Sequence, residues 1–206
     1  MELQPRAHAR GYFLLPASLA RCLIQANLRT TNSQSPDLEL ASLNSRPPSK
    51  VQEEFLKCCG SPEWARRVMA ERPFASLDDL SAKSDRVWWS LEPHDWLEAF
   101  RSHPKIGEKK AAQPISGEAR RWSEQEQAGL LNSEQKTLDD LAELNRAYEE
   151  KFGYIFVVCA SGKSSEEMLA LLRVRLENNP EEELRIAAAE QAKITQLRLR
   201  KLLAVE

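Results

Sequence analysis

Helix start signals recur along this chain, and they constrain its fold more than any other sequence feature. In the stretch SPEWARRVMAERPF, Ser61 is suited to cap a helix and Pro62 to occupy its first turn. Farther on, Ser76 is followed three residues later by Asp79, a pattern that resembles a capping box. Apolar residues at helical spacing follow each signal, so both stretches predict α-helices.

The C-terminal third of the sequence carries the clearest of these signals. Leucines three or four residues apart in LDDLAELNRAYEEKFG predict a helix that Gly153 ends. Ser164 and Glu167 match a capping box at the start of SSEEMLALLRVRLENN. Asn179 and Pro180 open NPEEELRIAAAEQAKITQLRLRKLL, whose first turn is acidic and whose last turn is basic. We therefore predict a long C-terminal helix.

One stretch, YIFVVCASG, has the β-branched and aromatic composition of a strand. No second run of comparable composition could pair with it, so we expect buried extended or irregularly helical backbone rather than a sheet. The chain has only seven glycines and is rich in Leu, Ala, Glu, Lys and Arg, which favours helix. The predicted fold is all-α, a compact bundle of about six to eight helices over residues 51–206.

Residues 1–50 differ from the rest of the chain. They carry six Lys and Arg residues against three acidic ones, and TTNSQSPDLELASLNSRPPSK is rich in Ser, Asn and Pro without a sustained apolar period. That stretch predicts a disordered linker. The preceding residues, MELQPRAHARGYFLLPASLARCLIQANLR, are compatible with an organelle-targeting peptide, a loose extension or a start codon placed too early. We predict a disordered, low-order extension over residues 1–50.

Charge, hydropathy and cysteine usage exclude several classes of protein. The net charge of −2 gives no reason to expect nucleic acid or an anionic membrane as a partner. No apolar run approaches the roughly 18–20 residues that span a bilayer. The four cysteines are not spaced as zinc ligands, which predicts a reducing compartment and no structural metal; they are Cys22, Cys58, Cys59 and Cys159.

The stretch RSHPKIGE places His103 directly before Pro104, at the end of a short predicted helix, DWLEAFRS. The helix should end there because the residue before proline avoids the α region. A histidine at a helix C-terminus can serve simply as a cap, since its positive form suits the helix dipole. Alternatively, the rigid P-K-I-G turn holds a general acid or base in place. We assign no function to His94 or His8.

The stretch RWSEQEQAGL offers several polar side chains within one helical turn. Ser123 and Glu126 match the S-x-x-E capping box, which needs no function at all. A helix that began there would also present free backbone N–H groups, a natural seat for an anion. Glu124 and Gln127 lie in the same turn, and the two interpretations are compatible with each other.

Arg198 lies on an apolar line of the predicted C-terminal helix, in step with Gln191, Ile194 and Leu202. An arginine on a core-facing stripe either extends its charged end to solvent or is held inside by a partner. A carboxylate ligand is one such partner.

Taken together, these stretches resemble the 2-oxo-4-hydroxy-4-carboxy-5-ureidoimidazoline (OHCU) decarboxylase family of urate degradation. The motifs that carry the resemblance are H-P-x-I-G, W-S-x-x-E-Q, F-G-[FY]-I-F-V-x-C-A and K-I-T-x-L-R-L. The likeness runs from about Phe55 to about Leu203, and the first 50 residues have no counterpart in it.

The resemblance implies a cofactor-free, all-helical enzyme, usually a homodimer, that converts OHCU to (S)-allantoin and CO₂. It implies catalytic roles for His103 and Glu126, although Glu124 in place of Glu126 is a conceivable alternative register. The remaining implied substrate contacts are Pro104, Ser123, Glu124, Gln125, Gln127, Phe156, Val157, Val158, Cys159, Ala160 and Arg198. Backbone polar groups of the FVVCA stretch are expected to face the substrate.

Two other interpretations stay open at this point. The chain could be a non-catalytic helical adaptor, or a relative that decarboxylates a different ureido-imidazoline. It ends in Ala-Val-Glu rather than the peroxisomal signal Ser-Lys-Leu, so we expect a cytoplasmic location.

Overall fold

The computed structural model describes residues 36–106, 116–130 and 133–204, all of which belong to one unit, Gln34–Glu206. Within these three ranges the chain forms nine α-helices, a 3₁₀ helix and no β-strand, which confirms the predicted all-α fold. The α-helices are α1 (Pro36–Ser45), α2 (Pro48–Cys58), α3 (Pro62–Ala70), α4 (Leu77–Trp89), α5 (Pro93–Arg101), α6 (Gly117–Glu126), α7 (Gln135–Phe152), α8 (Ser165–Arg175) and α9 (Pro180–Leu202). None of the described helices is both long enough and apolar enough to cross a bilayer.

The prediction of a linker over residues 36–50 is wrong, because these residues form α1 and the start of α2. Leu40 and Leu43 of α1 are buried in the main hydrophobic core. The Asn44 side chain donates a hydrogen bond to the Phe74 carbonyl and accepts one from the Phe74 N–H, both at 2.8 Å. With only a few leucines among polar residues, this helix depends on tertiary contacts that no local pattern reveals. Residues 1–35 of the predicted extension lie outside the described residues.

The predicted helix caps are confirmed where local chemistry defines them. Ser61 accepts a hydrogen bond from the Trp64 N–H at 3.3 Å, and Asn179 accepts one from the Glu182 N–H at 3.0 Å. The reciprocal capping box of Ser164 with Glu167 is also present. These side chains satisfy backbone donors that have no partner within the helix.

Helix α9 lies at the centre of the fold and packs against α2, α4 and α5. The indole of Trp88 on α4 donates to the Ala188 carbonyl of α9 at 3.0 Å, inside the main core. A second, smaller core lies between α7 and α8; its buried members are Ile106, Leu141, Tyr148, Phe156, Val158, Ala160, Met168, Leu169 and Leu172.

Residues 155–160 form no helix or strand and join the two cores, and their side chains alternate as they do in an extended segment. Val157 and Cys159 belong to the main core, whereas Phe156, Val158 and Ala160 belong to the second. Successive side chains of extended backbone point to opposite sides, so one short stretch can fill both cores. The expectation of buried extended or irregularly helical backbone rather than a sheet is confirmed, since Phe156 to Ala160 are buried and outside any strand.

Candidate active site

His103 lies two residues beyond the end of α5, and its side chain turns inward. Its backbone N–H donates to the Phe100 carbonyl at 3.1 Å, continuing the last turn of the helix before Pro104 stops it. The imidazole is only 8% exposed, and its Nε2 lies 2.7 Å from Oε1 of Gln191 on α9. The imidazole is thus buried and bonded to a second helix, which does not match the helix cap that the sequence also allowed.

Burial, and to a lesser extent the nearby positive charge of Arg198, lower the pKa of His103 to about 3, although the Gln191 hydrogen bond acts in the opposite direction. The imidazole is therefore neutral at pH 7. His103 therefore cannot act as a helix cap that relies on a positive imidazole. A neutral imidazole can instead act as a proton acceptor.

The W-S-x-x-E-Q stretch lies at the end of α6 rather than at its beginning. Ser116 caps this helix by accepting a hydrogen bond from the Ala119 N–H at 3.1 Å. Ser123 instead donates its hydroxyl to the Ala119 carbonyl at 3.1 Å. The predicted capping box and the predicted anion seat at a helix N-terminus are therefore both wrong. Residues three positions apart also lie on the same face inside a helix, and Ser123 and Glu126 are related in this way here.

One face of α6 is turned toward a cavity. Ser123, Glu126 and Gln127 line this cavity at i, i+3 and i+4 positions. Glu124 and Gln125 are exposed on another face of the helix and do not line it. The structure therefore does not bring the implied substrate contacts Glu124 and Gln125 together with the other site residues, and it favours Glu126 over the alternative register that would use Glu124.

Arg198 is 2% exposed and holds Glu126 directly. Its Nε donates to Glu126 Oε1 at 3.0 Å and its Nη2 to Oε2 at 2.8 Å, and Nη2 also lies 2.9 Å from Ser123 Oγ. Lys201 Nζ approaches Glu126 Oε1 at 3.4 Å. The interpretation in which Arg198 extends to solvent is wrong. The buried partner is a carboxylate of the protein itself, which contacts Arg198 from the cavity side.

The cavity brings together most of the residues that the resemblance implies. Cys159 does not line it and belongs to the main core. Arg198 does not line it either. The lining residues are His103, Pro104, Ile106, Ser123, Glu126, Gln127, Phe156, Val157, Val158, Ala160 and Ile194.

Three residues of the site received no role from the sequence. Ile106 occupies the isoleucine position of the H-P-x-I-G motif, which was a usable signal. Ile194 and Gln191 share the line of Arg198 on α9, but helical spacing alone does not say which of its members faces a cavity.

Three backbone groups of the extended segment are bonded to protein side chains. The Val157 carbonyl accepts from Arg175 Nη1 at 2.7 Å. The Cys159 N–H donates to Glu190 Oε2 at 2.8 Å, and its carbonyl accepts from Lys163 Nζ at 2.7 Å. These three groups are committed to positioning the segment, contrary to the expectation that they would face a substrate.

A buried ion pair supports this segment from behind. Arg175 Nε donates to Glu183 Oε1 at 2.7 Å, and Asn178 Nδ2 donates to Glu183 Oε2 at the same distance. The Tyr148 hydroxyl donates to the same carboxylate, and burial raises the pKa of this phenol. The network contacts the cavity lining through the Val157 carbonyl and through the Phe156 ring, on which the Arg175 guanidinium packs, so it fixes the wall of the site without lining it.

Comparison with known proteins identifies what this arrangement resembles. A family model described as OHCU decarboxylase matches residues 44–200. The uric acid degradation bifunctional protein TTL of Arabidopsis thaliana is 41% identical over 152 residues, which are 73% of this chain and 47% of that protein. This chain therefore spans about half the length of the Arabidopsis relative.

Two further proteins match over nearly their whole length. The 2-oxo-4-hydroxy-4-carboxy-5-ureidoimidazoline decarboxylase of Amia calva is 36% identical over 153 residues, 71% of this chain and 86% of that protein. A crystal structure of OHCU decarboxylase in the presence of (S)-allantoin has 38% identity and a TM-score of 0.64, and the match covers 74% of this chain and 98% of that one. The chain therefore belongs to the OHCU decarboxylase family.

Proposed function

We propose that this protein decarboxylates OHCU to (S)-allantoin and CO₂ in urate degradation, without a cofactor. The observation that carries the proposal is that a buried neutral imidazole, His103, and a buried carboxylate, Glu126, line the same cavity. Family membership supports the choice of substrate, since the family model spans residues 44–200, which include every residue that lines the cavity.

The substrate can accept the electron pair that CO₂ leaves behind. The carbon that loses the carboxylate also bears a hydroxyl and adjoins a ring C=N bond. When the C–CO₂ bond breaks, its electrons form a C=C bond to the neighbouring carbon and the C=N nitrogen takes up a proton. Loss of the hydroxyl proton then makes the carbonyl of allantoin, and protonation of the neighbouring carbon sets its configuration. The protein has only to place the substrate and move protons.

In this scheme His103 accepts the hydroxyl proton and returns a proton to one face of the neighbouring carbon. A neutral imidazole is the form that can accept a proton, and acid–base catalysis of this kind contributes about 10²–10⁴-fold. Glu126 orients the substrate by accepting hydrogen bonds from its N–H or hydroxyl groups. Both side chains are buried, which strengthens their interactions with a bound substrate.

Arg198 acts through Glu126 in this proposal. Its Nε and Nη2 are committed to the Glu126 carboxylate, and Nη2 also contacts Ser123. A cation that gripped the departing carboxylate would stabilise the ground state and slow the reaction. Placing the guanidinium behind Glu126 avoids that effect.

We also propose that the protein is a homodimer and works in the cytoplasm. An apolar surface on α8 supports self-association, because Val174 is 67% exposed and Leu171 is also exposed on the same helix. Sedimentation equilibrium should give twice the chain mass, and Val174→Glu should shift the protein toward monomer. A monomeric wild-type protein would contradict the dimer.

The decarboxylase is tested by generating OHCU from urate in situ and following optically active allantoin by circular dichroism. Wild-type protein should accelerate its formation, and His103→Asn should reduce turnover by at least about 10². His94→Asn is the matched control, because the His94 side chain is 78% exposed and does not line the cavity. No acceleration by the wild-type protein would reject the proposed function.

A further inference from the structure

Gln191 is completely buried on α9 beside the imidazole of His103. Its side-chain oxygen lies 2.7 Å from His103 Nε2, and its side-chain nitrogen lies 3.2 Å from Thr195 Oγ1. Thr195 is one turn farther along the same helix and is also buried. The three side chains form a short hydrogen-bonded chain that ends at the imidazole.

Thr195 determines which way the Gln191 amide is turned. Its hydroxyl donates to the Gln191 main-chain carbonyl at 3.0 Å. A hydroxyl has one proton, so toward the Gln191 side chain this oxygen can only accept. The amide NH₂ must therefore face Thr195, and the amide oxygen must face His103.

The orientation of Gln191 in turn determines where the imidazole carries its proton. An amide oxygen only accepts hydrogen bonds, so His103 Nε2 must be the donor. A neutral imidazole has one N–H, and Nδ1 then keeps its lone pair. We infer that Gln191, oriented by Thr195, is a positioning residue that holds His103 in the Nε2–H tautomer and leaves Nδ1 as the nitrogen that accepts the substrate's proton.

The role of Nδ1 rests on the proposed decarboxylase, whereas the tautomer can be measured without any substrate. In ¹⁵N-labelled full-length protein, two-bond ¹H–¹⁵N spectra distinguish the protonated from the unprotonated ring nitrogen, and His103→Asn assigns the signal. The wild type should show the proton on Nε2 at pH 7. A proton on Nδ1 would overturn the inference, even if the protein decarboxylates OHCU.

Substitutions of Gln191 and Thr195 distinguish a positioning role of these residues from simple packing. Gln191→Leu and Thr195→Val should let the proton move to Nδ1 in part of the molecules and lower kcat at least about 10-fold, with KM within about twofold. Thr195→Ser keeps the hydroxyl and should restore both the tautomer and the rate. Gln196→Leu is the matched control, because Gln196 lies on the same helix but donates to the Ser81 carbonyl.

Two results would reject the positioning role. One is an unchanged Nε2–H tautomer in both Gln191→Leu and Thr195→Val. The other is a normal kcat in variants whose tautomer has changed. Absence of decarboxylation in the wild type would reject the proposed function while leaving the tautomer result intact, so the two failures are distinguishable.

Discussion

Arg198 on α9 holds Glu126 on α6 through two parallel hydrogen bonds, from Nε to Oε1 at 3.0 Å and from Nη2 to Oε2 at 2.8 Å. Both side chains are almost fully buried. Bidentate, charge-assisted pairing fixes the plane of the carboxylate as well as its position. The carboxylate of the cavity is therefore held in one orientation before any substrate enters.

Replacing Glu126 with Gln should destabilise the protein as well as inactivate it. The change leaves the Arg198 charge buried without its counter-ion, which costs about 3–5 kcal/mol when a buried pair loses one partner. Urea unfolding measures this free energy. Glu53→Gln is the control, because it removes the exposed ion pair with Lys50 and should change stability little. Equal effects of the two substitutions would contradict a buried, functional pair.

The burial of neutral His103 should make stability fall as the pH is lowered. Below pH 6.5 the unfolded chain binds a proton at this residue, whereas the folded protein does so only near its lowered pKa of about 3. The free energy of unfolding therefore decreases across this window, by up to about 1.4 kcal/mol per pH unit from this one group.

The comparison of variants isolates that contribution. His103→Asn should lose stability less steeply than the wild type when unfolding is measured at pH 7, 6 and 5. His94→Asn is the control for replacing a histidine at an exposed position. Parallel curves for His103→Asn and wild type would show that the imidazole binds its proton equally in the folded and unfolded states, which would contradict the lowered pKa.

Gly60→Ala should disturb the residues that lead into His103. A Cβ at Gly60 would lie 2.2 Å from Ser102 Oγ and 2.5 Å from Ser102 Cβ, in a backbone with φ of +82°. Gly153→Ala carries the same kind of backbone strain, with φ of +79°, but meets nothing within 4 Å. Both variants should lose stability, and only Gly60→Ala should also lose decarboxylase activity. The double variant Gly60→Ala with Ser102→Gly should recover activity; failure to recover would show that backbone strain alone is responsible.

Arg175→Met should weaken the wall of the cavity. The substitution leaves the Glu183 carboxylate buried without its cation and frees the Val157 carbonyl, so we expect a loss of about 3–5 kcal/mol in unfolding free energy. Arg173→Met, on the same helix, removes only an exposed pair with Asp140 and serves as the control. Near-equal stability of the two variants in urea would mean that the buried network contributes little.

The features that the sequence predicted are those set by neighbouring residues. Ser61, Ser164 and Asn179 define helix starts through their own side chains, so their caps were readable without any tertiary information. Most cavity residues were predicted from long motifs, because each motif identifies several neighbouring site residues at once. The start of α6 was missed because S-x-x-E is the same pattern at a helix start and inside a helix.

The features that sequence analysis missed depend on residues far apart in the chain. The partners His103 and Gln191 are separated by 88 residues, and Glu126 and Arg198 by 72. Helical spacing placed Gln191 and Arg198 on one line of α9, but the groups that they contact depend on how the helices pack. Leu40 and Leu43 are a similar case, because their burial is visible only once α1 is packed against the core.

Helix α9 supplies the anchors of both reactive side chains, Gln191 for the imidazole and Arg198 for the carboxylate. These anchors are seven positions apart in the sequence, and at about 1.5 Å of rise per residue their spacing is roughly 10 Å. A point substitution between them leaves this spacing intact. One added or deleted residue would instead rotate the second anchor by about 100° around the helix. Insertions and deletions are therefore expected in the connections between helices and not between Gln191 and Arg198.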